Sequence, residues 1–171
     1  MYAADLATSC QVASGPHVRA IGWLEREQPY TRGAVDPRVA SILRAIIADA
    51  GRFLPVASFG FHSCDLGNCA GDSGAQHVVI PSPTCVYVAP DLVVHYIESH
   101  MYAPPAAFAD AVLSCPEQCS DAYVDLVLPF ASTWRLDTER LRALAAQAPE
   151  KRRSHAEYVR MLGDKPRGFP W

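Results

Sequence analysis

The chain has 171 residues and a formal net charge of −3, and half of its residues are apolar while 19% are charged. This composition is typical of one globular domain with a real core, and it excludes an intrinsically disordered chain. No apolar run reaches the roughly 20 residues of a membrane-spanning helix, and the first residues lack the pattern of a secretory signal peptide. We therefore expect a cytoplasmic protein without a membrane segment. Its six cysteines are then metal ligands or buried thiols rather than disulfides.

The charge is unevenly distributed along the chain. Residues 133–171 carry nine Lys/Arg and five Asp/Glu, whereas residues 1–132 carry six and thirteen. Such a basic end can dock on the acidic body of its own chain, or it can contact a partner. We expect the partner to be another protein, because the short run Lys151-Arg152-Arg153 is weak support for nucleic acid. The sequence does not indicate an oligomeric state.

The first half of the chain alternates between extended and helical patterns. Residues 1–16 are small and polar and are expected to form a loosely held terminal segment. Residues 17–24 are the first strand candidate, and the turn that follows contains Gly33, which is free to adopt a positive φ. A helix is predicted from Pro37 to Gly51, because Asp36 is a good N-cap and apolar residues recur at steps of three and four.

The rest of the chain predicts one hairpin and further helices. Residues 77–80 and 85–88 read as strands of a β-hairpin, joined loosely because the connection contains two prolines. Helices are expected at 90–101, 105–114, 116–128, 138–147 and 150–162. The fold class is therefore α+β: a short antiparallel sheet with a zinc-stapled loop, packed by about six helices mostly in the C-terminal half. We divide it into the terminal segment 1–16, a zinc-binding domain 17–132 and a basic helical extension 133–171 packed on that domain.

Two short stretches carry residue types that suit a metal site. Cys64 and Cys69 form a C-x₄-C pair in a loop rich in Gly, Asn and Asp, and His95 and His100 form an H-x₄-H pair on a predicted helix. Thiolate and imidazole donors at these spacings favour Zn²⁺ over other common metals. We predict one zinc site that fastens the loop to the helix.

The helix geometry leaves the fourth ligand open. Residues five apart on a regular helix point about 140° away from each other, so both histidines reach one metal only if the helix unwinds near His100. His62, two residues before Cys64, is the competing ligand. The alternative interpretation is that the cysteines are buried thiols and the histidines are satisfied core residues.

Several of these motifs occur together in one order. They are G-W-L at 22–24, a Pro/aromatic-Thr-Gly turn at 29–33, G-F-H-S-C at 60–64, and Y-V-A-P-D-L-V-V-H-Y-I-E-S-H-M-Y-A-P-P at 87–105. In this the chain resembles a family of small, functionally uncharacterised bacterial proteins, over a little more than half of its length. The resemblance implies a metal-binding domain without an established activity. The family's loop has two residues between its cysteines, whereas four separate Cys64 from Cys69.

The number of protein ligands separates two functional hypotheses. Four ligands close a zinc site and make it structural, whereas a catalytic zinc keeps one position for water. We expect a closed site, and hence a binding or regulatory module rather than an enzyme. The alternative is a small zinc-dependent hydrolase or nuclease with an open position, in which Glu98 or Asp65 would be the base. Neither H-E-x-x-H nor a Gly-rich phosphate loop is present.

Overall fold

The computed structural model describes residues 2–53, 57–67, 69, 73–118 and 120–134, and also residues 138, 139, 142, 143 and 146. For residues 49–53, 57–60 and 134 it describes the backbone only. The elements in chain order are β1 (Val18–Ala20), α1 (Pro37–Phe53), β2 (Ala57–Ser63), β3 (Ser73–Pro81), β4 (Val86–Pro90), α2 (Val93–His100), α3 (Ala106–Ser114), α4 (Asp121–Val127) and a 3₁₀ helix (Leu128–Trp134).

The strands form one mixed sheet in the order β1-β4-β3-β2. The predicted hairpin is confirmed: β3 and β4 are antiparallel, with Val79 opposite Val88, and β2 pairs antiparallel with β3. The prediction of an antiparallel sheet is wrong at one edge, because β1 runs parallel to β4, with Val18 opposite Val86. A parallel pair needs a long crossover, and here the crossover contains α1, β2 and β3.

Both faces of the sheet are covered. Alternate residues of β3 and β4 face the main core, where they meet α1, α2 and α3: Val78, Ile80, Tyr87 and Ala89. The predicted stripe of α1 enters this core through Val39, Leu43 and Ile46. On the other face Val88 packs with Trp23, and Tyr123 of α4 donates a hydrogen bond to the carbonyl of Val79. A strand buried on both faces becomes almost wholly apolar, as β4 is.

The N-terminal residues are attached to β1. Leu6 donates to the carbonyl of Ala20, and Ala20 donates to the carbonyl of Ala7, each at 2.8 Å. The Asp5 carboxylate accepts hydrogen bonds from the amide of Gly22 and from the hydroxyl of Tyr102. These bonds attach residues 3–7 to β1 and to the residues that follow it.

Up to residue 134 the number of α-helices agrees with the sequence-based prediction, but the two further helices predicted beyond that residue are not described as complete elements. The described part of the chain contains four α-helices and one 3₁₀ helix, so six helices are not supported. The predicted helix at 138–147 is described only at isolated helical positions, and the one at 150–162 lies outside the described residues. In this part of the chain we find no helix with the length and apolarity that crossing a bilayer requires. Gly33, which is free to adopt a positive φ, does not do so, whereas Gly15 and Gly22 do.

Candidate metal centre

Three parts of the fold converge on one point. Cys64 follows directly after β2, and Cys69 lies in the loop that leads to β3. His95 is on α2 and His100 is its last residue. One donor atom from each of the four residues lies within 4.8 Å of every other, so together they could bind a metal ion. The group forms at the corner where the loop meets the C-terminal end of α2.

The donor distances suit tetrahedral coordination. His100 Nε2 lies 3.3 Å from Cys64 Sγ, 3.2 Å from Cys69 Sγ and 3.1 Å from His95 Nε2. With Zn–S of about 2.3 Å and Zn–N of about 2.0–2.1 Å, the corners of a tetrahedron are about 3.4 Å apart for two nitrogens and about 3.6 Å for nitrogen and sulfur. The three distances from His100 are therefore within a few tenths of an ångström of a tetrahedral edge, while the remaining donor pairs lie within 4.8 Å.

The end of α2 explains how two histidines five residues apart can meet. Met101 lies in the left-handed region (φ 56°), and its amide donates to the carbonyl of Tyr96, five residues back. A bond of this span gives a wider turn than the α-helical bond and rotates His100 toward His95. The Gly33 amide donates to the Met101 carbonyl and the Ala103 amide donates to the Thr31 carbonyl, so the turn before α1 holds this end in place.

The loop after Cys64 is packed closely against the histidines. The backbone of Leu66 is hydrogen-bonded to the thiol of Cys64, and Leu66 itself packs against the main core. A Cβ on Gly67 would lie 3.4 Å from Cε1 of His100, which is van der Waals contact, so the backbone of the loop passes directly beside the ring. Arg26 donates to the Asp65 carbonyl at 2.8 Å. The backbone therefore presents the first thiol to α2 in a fixed position.

Both thiols of the group, Cys64 and Cys69, can be deprotonated at the same time only if a cation lies beside them. Burial raises the pKa of the Cys64 thiol, and the neighbouring Cys69 raises it further, whereas the hydrogen bond with the backbone of Leu66 lowers it. Without a metal, two adjacent thiolates would repel each other in this half-buried corner. A divalent cation removes that repulsion, since a coordinating thiol is deprotonated outright.

A second set of contacts fixes the other end of α2. The Asp91 carboxylate, just before the helix, accepts from the backbone amides of Ala75 and Gln76 at 3.2 and 3.0 Å. It lies directly on Gly74, where a Cβ would be 1.8 Å from Asp91 Oδ1. The start of β3 and the start of α2 are thus joined. Sequence reasoning missed this pair, because nothing local relates residues that far apart.

His62 lies outside the group of four. It is on β2 opposite Gly74, and with Tyr96 and Asp91 it lines a neighbouring cleft whose free volume of about 20 Å³ has room for about one water molecule. The Tyr96 hydroxyl is buried and has no hydrogen-bond partner among the described residues. Burial and the nearby thiol of Cys64 raise the pKa of this hydroxyl, which stays neutral.

The two acidic residues proposed as a base differ in their surroundings. Glu98 forms an ion pair with Arg44 of α1, in a groove between α1 and the C-terminal half of α2. Asp65 is next to Cys64, and its Oδ1 is buried without a hydrogen-bond partner among the described residues. Glu98 is therefore paired with a residue of α1, whereas Oδ1 of Asp65 has an unused acceptor position among the described residues.

The comparisons with known proteins identify one family. A family model described as a domain of unknown function, DUF7919, matches residues 1–113. The matched span includes the four donors of the metal centre and ends within α3. No curated protein and no solved structure matches the chain.

Proposed function

The chain belongs to the DUF7919 family, whose description names no activity, and from the geometry of its own residues we propose that it is a zinc-binding protein with a structural metal site. The supporting observation is the convergence of two thiols and two imidazoles within 4.8 Å. A Cys₂His₂ set closes a tetrahedral site without a position for water. The domain would then be a binding or regulatory module rather than an enzyme.

Zinc is favoured by the donors. Two soft thiolates and two imidazoles in a tetrahedral arrangement suit Zn²⁺, whereas Mg²⁺ and Ca²⁺ require oxygen ligands. The metal would fasten the segment after β2 to the end of α2, and its binding free energy would add to the stability of the folded state. For a metal present at 100 times its dissociation constant, that addition is about 2.7 kcal/mol.

The alternative function is a zinc-dependent hydrolase or nuclease. It is supported by the buried Oδ1 of Asp65 beside Cys64 and by the hydroxyl of Tyr96, neither of which has a hydrogen-bond partner among the described residues. In that case one of the four donors would leave the metal and water would take its place. The ion pair of Glu98 with Arg44 counts against Glu98 as the base.

Metal content and cobalt spectroscopy test the proposal. We expect one zinc per reduced chain by elemental mass spectrometry, and loss of zinc in Cys64→Ser, Cys69→Ser, His95→Ala and His100→Ala. His62→Ala is the matched control, since this imidazole lies outside the group, and it should keep its zinc. The Co²⁺-substituted protein should show the intense visible bands of tetrahedral S₂N₂ coordination.

Two outcomes would contradict the structural assignment. If the chain binds no zinc after reduction and reconstitution, the metal centre itself is refuted. If His100→Ala keeps its zinc, or if azide changes the Co²⁺ spectrum of the wild type, one position is open. Assays for hydrolysis, with Asp65→Asn as the diagnostic variant, would then decide for the enzyme.

A further inference from the structure

The two thiols of the metal centre lie close enough to bond to each other. Cys64 Sγ and Cys69 Sγ both contact Nε2 of His100, and they are within 4.8 Å of one another. A disulfide has S–S of about 2.05 Å, so the two sulfurs would need to approach by less than about 3 Å. Both belong to one short stretch of chain, so this approach does not require the sheet or α2 to move.

We propose that the metal centre is a reversible redox switch, in which a peroxide oxidises Cys64 and Cys69 to a disulfide and zinc is released. The proposal rests on the zinc site argued above. To that site it adds a regulating molecule, a two-electron oxidant of the peroxide type, and a response, which is the release of zinc.

The exposure of the two thiols assigns their order of reaction. Cys64 is 7% exposed, whereas Cys69 is only partly buried. The Cys69 thiolate therefore attacks the peroxide: an S–O bond forms, the O–O bond breaks, and one proton is taken up as the first water leaves. The Cys64 thiolate then attacks the sulfur of this sulfenic acid, the S–O bond breaks, and a second proton is taken up as the second water leaves. The thiolates lose two electrons and the peroxide gains them.

Oxidation would remove half of the metal's ligands. A disulfide is a poor donor for Zn²⁺, and the two imidazoles that remain cannot hold the ion against water. Release of zinc would remove the bond between Cys64 and α2. The sheet core, built from β3, β4 and α1, does not depend on this bond, so we expect a local rather than a global change.

The other described cysteines are protected from this reaction. Cys10, Cys85 and Cys115 lie outside the group of four. Burial raises the pKa of the Cys10 and Cys115 thiols, which keeps the reactive thiolate form rare. Cys85 is buried and contacts the hydroxyl of Ser82. The metal centre is therefore the preferred target of an oxidant among the described thiols.

The test follows zinc release from the full, zinc-loaded chain treated with hydrogen peroxide, using a chromophoric zinc chelator. We expect one zinc per chain to be released, with the loss of two hydrogen masses in the peptide that joins Cys64 to Cys69. Dithiothreitol and added zinc should restore the metal. Cys115→Ser is the matched control and should release zinc at the wild-type rate, whereas Cys69→His should lose the peroxide response. If Cys69→His does not fold, the peptide masses of the wild type decide.

The outcomes separate this proposal from the zinc site on which it rests. A reduced chain without zinc refutes both. Zinc that stays bound while other cysteines are oxidised refutes the switch alone. Irreversible release with sulfinic acid at Cys64 or Cys69 also refutes it, because the event would then be damage rather than a switch.

Discussion

The contact between Gly74 and Asp91 allows a quantitative test of how the metal centre is held in place. In Gly74→Ala the new methyl group would be 1.8 Å from Oδ1 and 2.3 Å from Cγ of Asp91. No rotation of the methyl group relieves such an overlap, so the carboxylate must leave. It then gives up its hydrogen bonds with the amides of Ala75 and Gln76.

The cost follows from those two bonds. A hydrogen bond to a charged group contributes about 1.5–3 kcal/mol, and water can replace part of it at the exposed Gln76, so we expect Gly74→Ala to lower the free energy of unfolding by about 2–4 kcal/mol. Urea unfolding of the reduced, zinc-loaded protein measures this loss as a shift of the midpoint at constant slope. Gly33→Ala is the control: its methyl group would be 3.5 Å from the side chain of Ala103, an ordinary contact. Its effect should stay within about 0.5 kcal/mol.

A double-mutant cycle with Asp91→Ala makes the reasoning refutable. Asp91→Ala removes the group with which the methyl collides, so it should be destabilising in the wild type and nearly neutral when Ala occupies position 74. If the two losses simply add, the steric argument is wrong. If Gly74→Ala is as mild as Gly33→Ala, Asp91 does not join β3 to α2 in solution.

Two further predictions concern buried polar groups. Asp5→Ala should lower the free energy of unfolding by about 2–4 kcal/mol, because it leaves the fully buried hydroxyl of Tyr102 and the amide of Gly22 without their hydrogen-bond acceptor. Asp5→Asn keeps an acceptor oxygen, so its loss of stability in the same urea titration should be clearly smaller. Equal losses in the two variants would contradict this explanation. Burial raises the pKa of the Cys115 thiol to about 12, so iodoacetamide at pH 8 should label Cys115 in urea but not in the folded chain. Because the fold favours the neutral Cys115 thiol, the contribution of this preference to the free energy of unfolding is complete below the ordinary thiol pKa of about 8.5 and is lost as the pH rises toward 12. If Cys115 in the folded chain is labelled at pH 8 as fast as in urea, the thiol is not protected and the prediction is wrong.

The sequence was most informative where the signal is local. The predicted start of the helix at Pro37 matches α1, because Asp36 lies directly before the helix and accepts a hydrogen bond from the amide of Arg38; the predicted end at Gly51 is two residues short of Phe53. The hairpin of β3 and β4 also follows from neighbouring residues. The four clustered donors were recognised because their types and spacings are unusual outside metal sites.

The parts that were missed depend on contacts between distant residues. The parallel pairing of Val18 with Val86 has no local pattern, because β1 is only three residues long. His95 and His100 meet at the end of α2, where the Met101 amide donates to the Tyr96 carbonyl in a wider turn that no local sequence pattern predicts. That His100, and not His62, lies close to the other three donors therefore became visible only in the tertiary structure.

The position of β2 at the margin of the sheet has a consequence for handling the protein. The opposite margin, β1, is covered by the backbone of residues 3–7, which bonds along it. On β2 the described residues show pairing with β3 only, and Phe61 on this strand is 82% exposed. An uncovered strand with an apolar side chain is a template on which other chains can align. If Cys64, at the end of this strand, holds the proposed zinc, then a chelator that removes the zinc frees this end of β2, and we expect the protein to self-associate in buffers that contain the chelator.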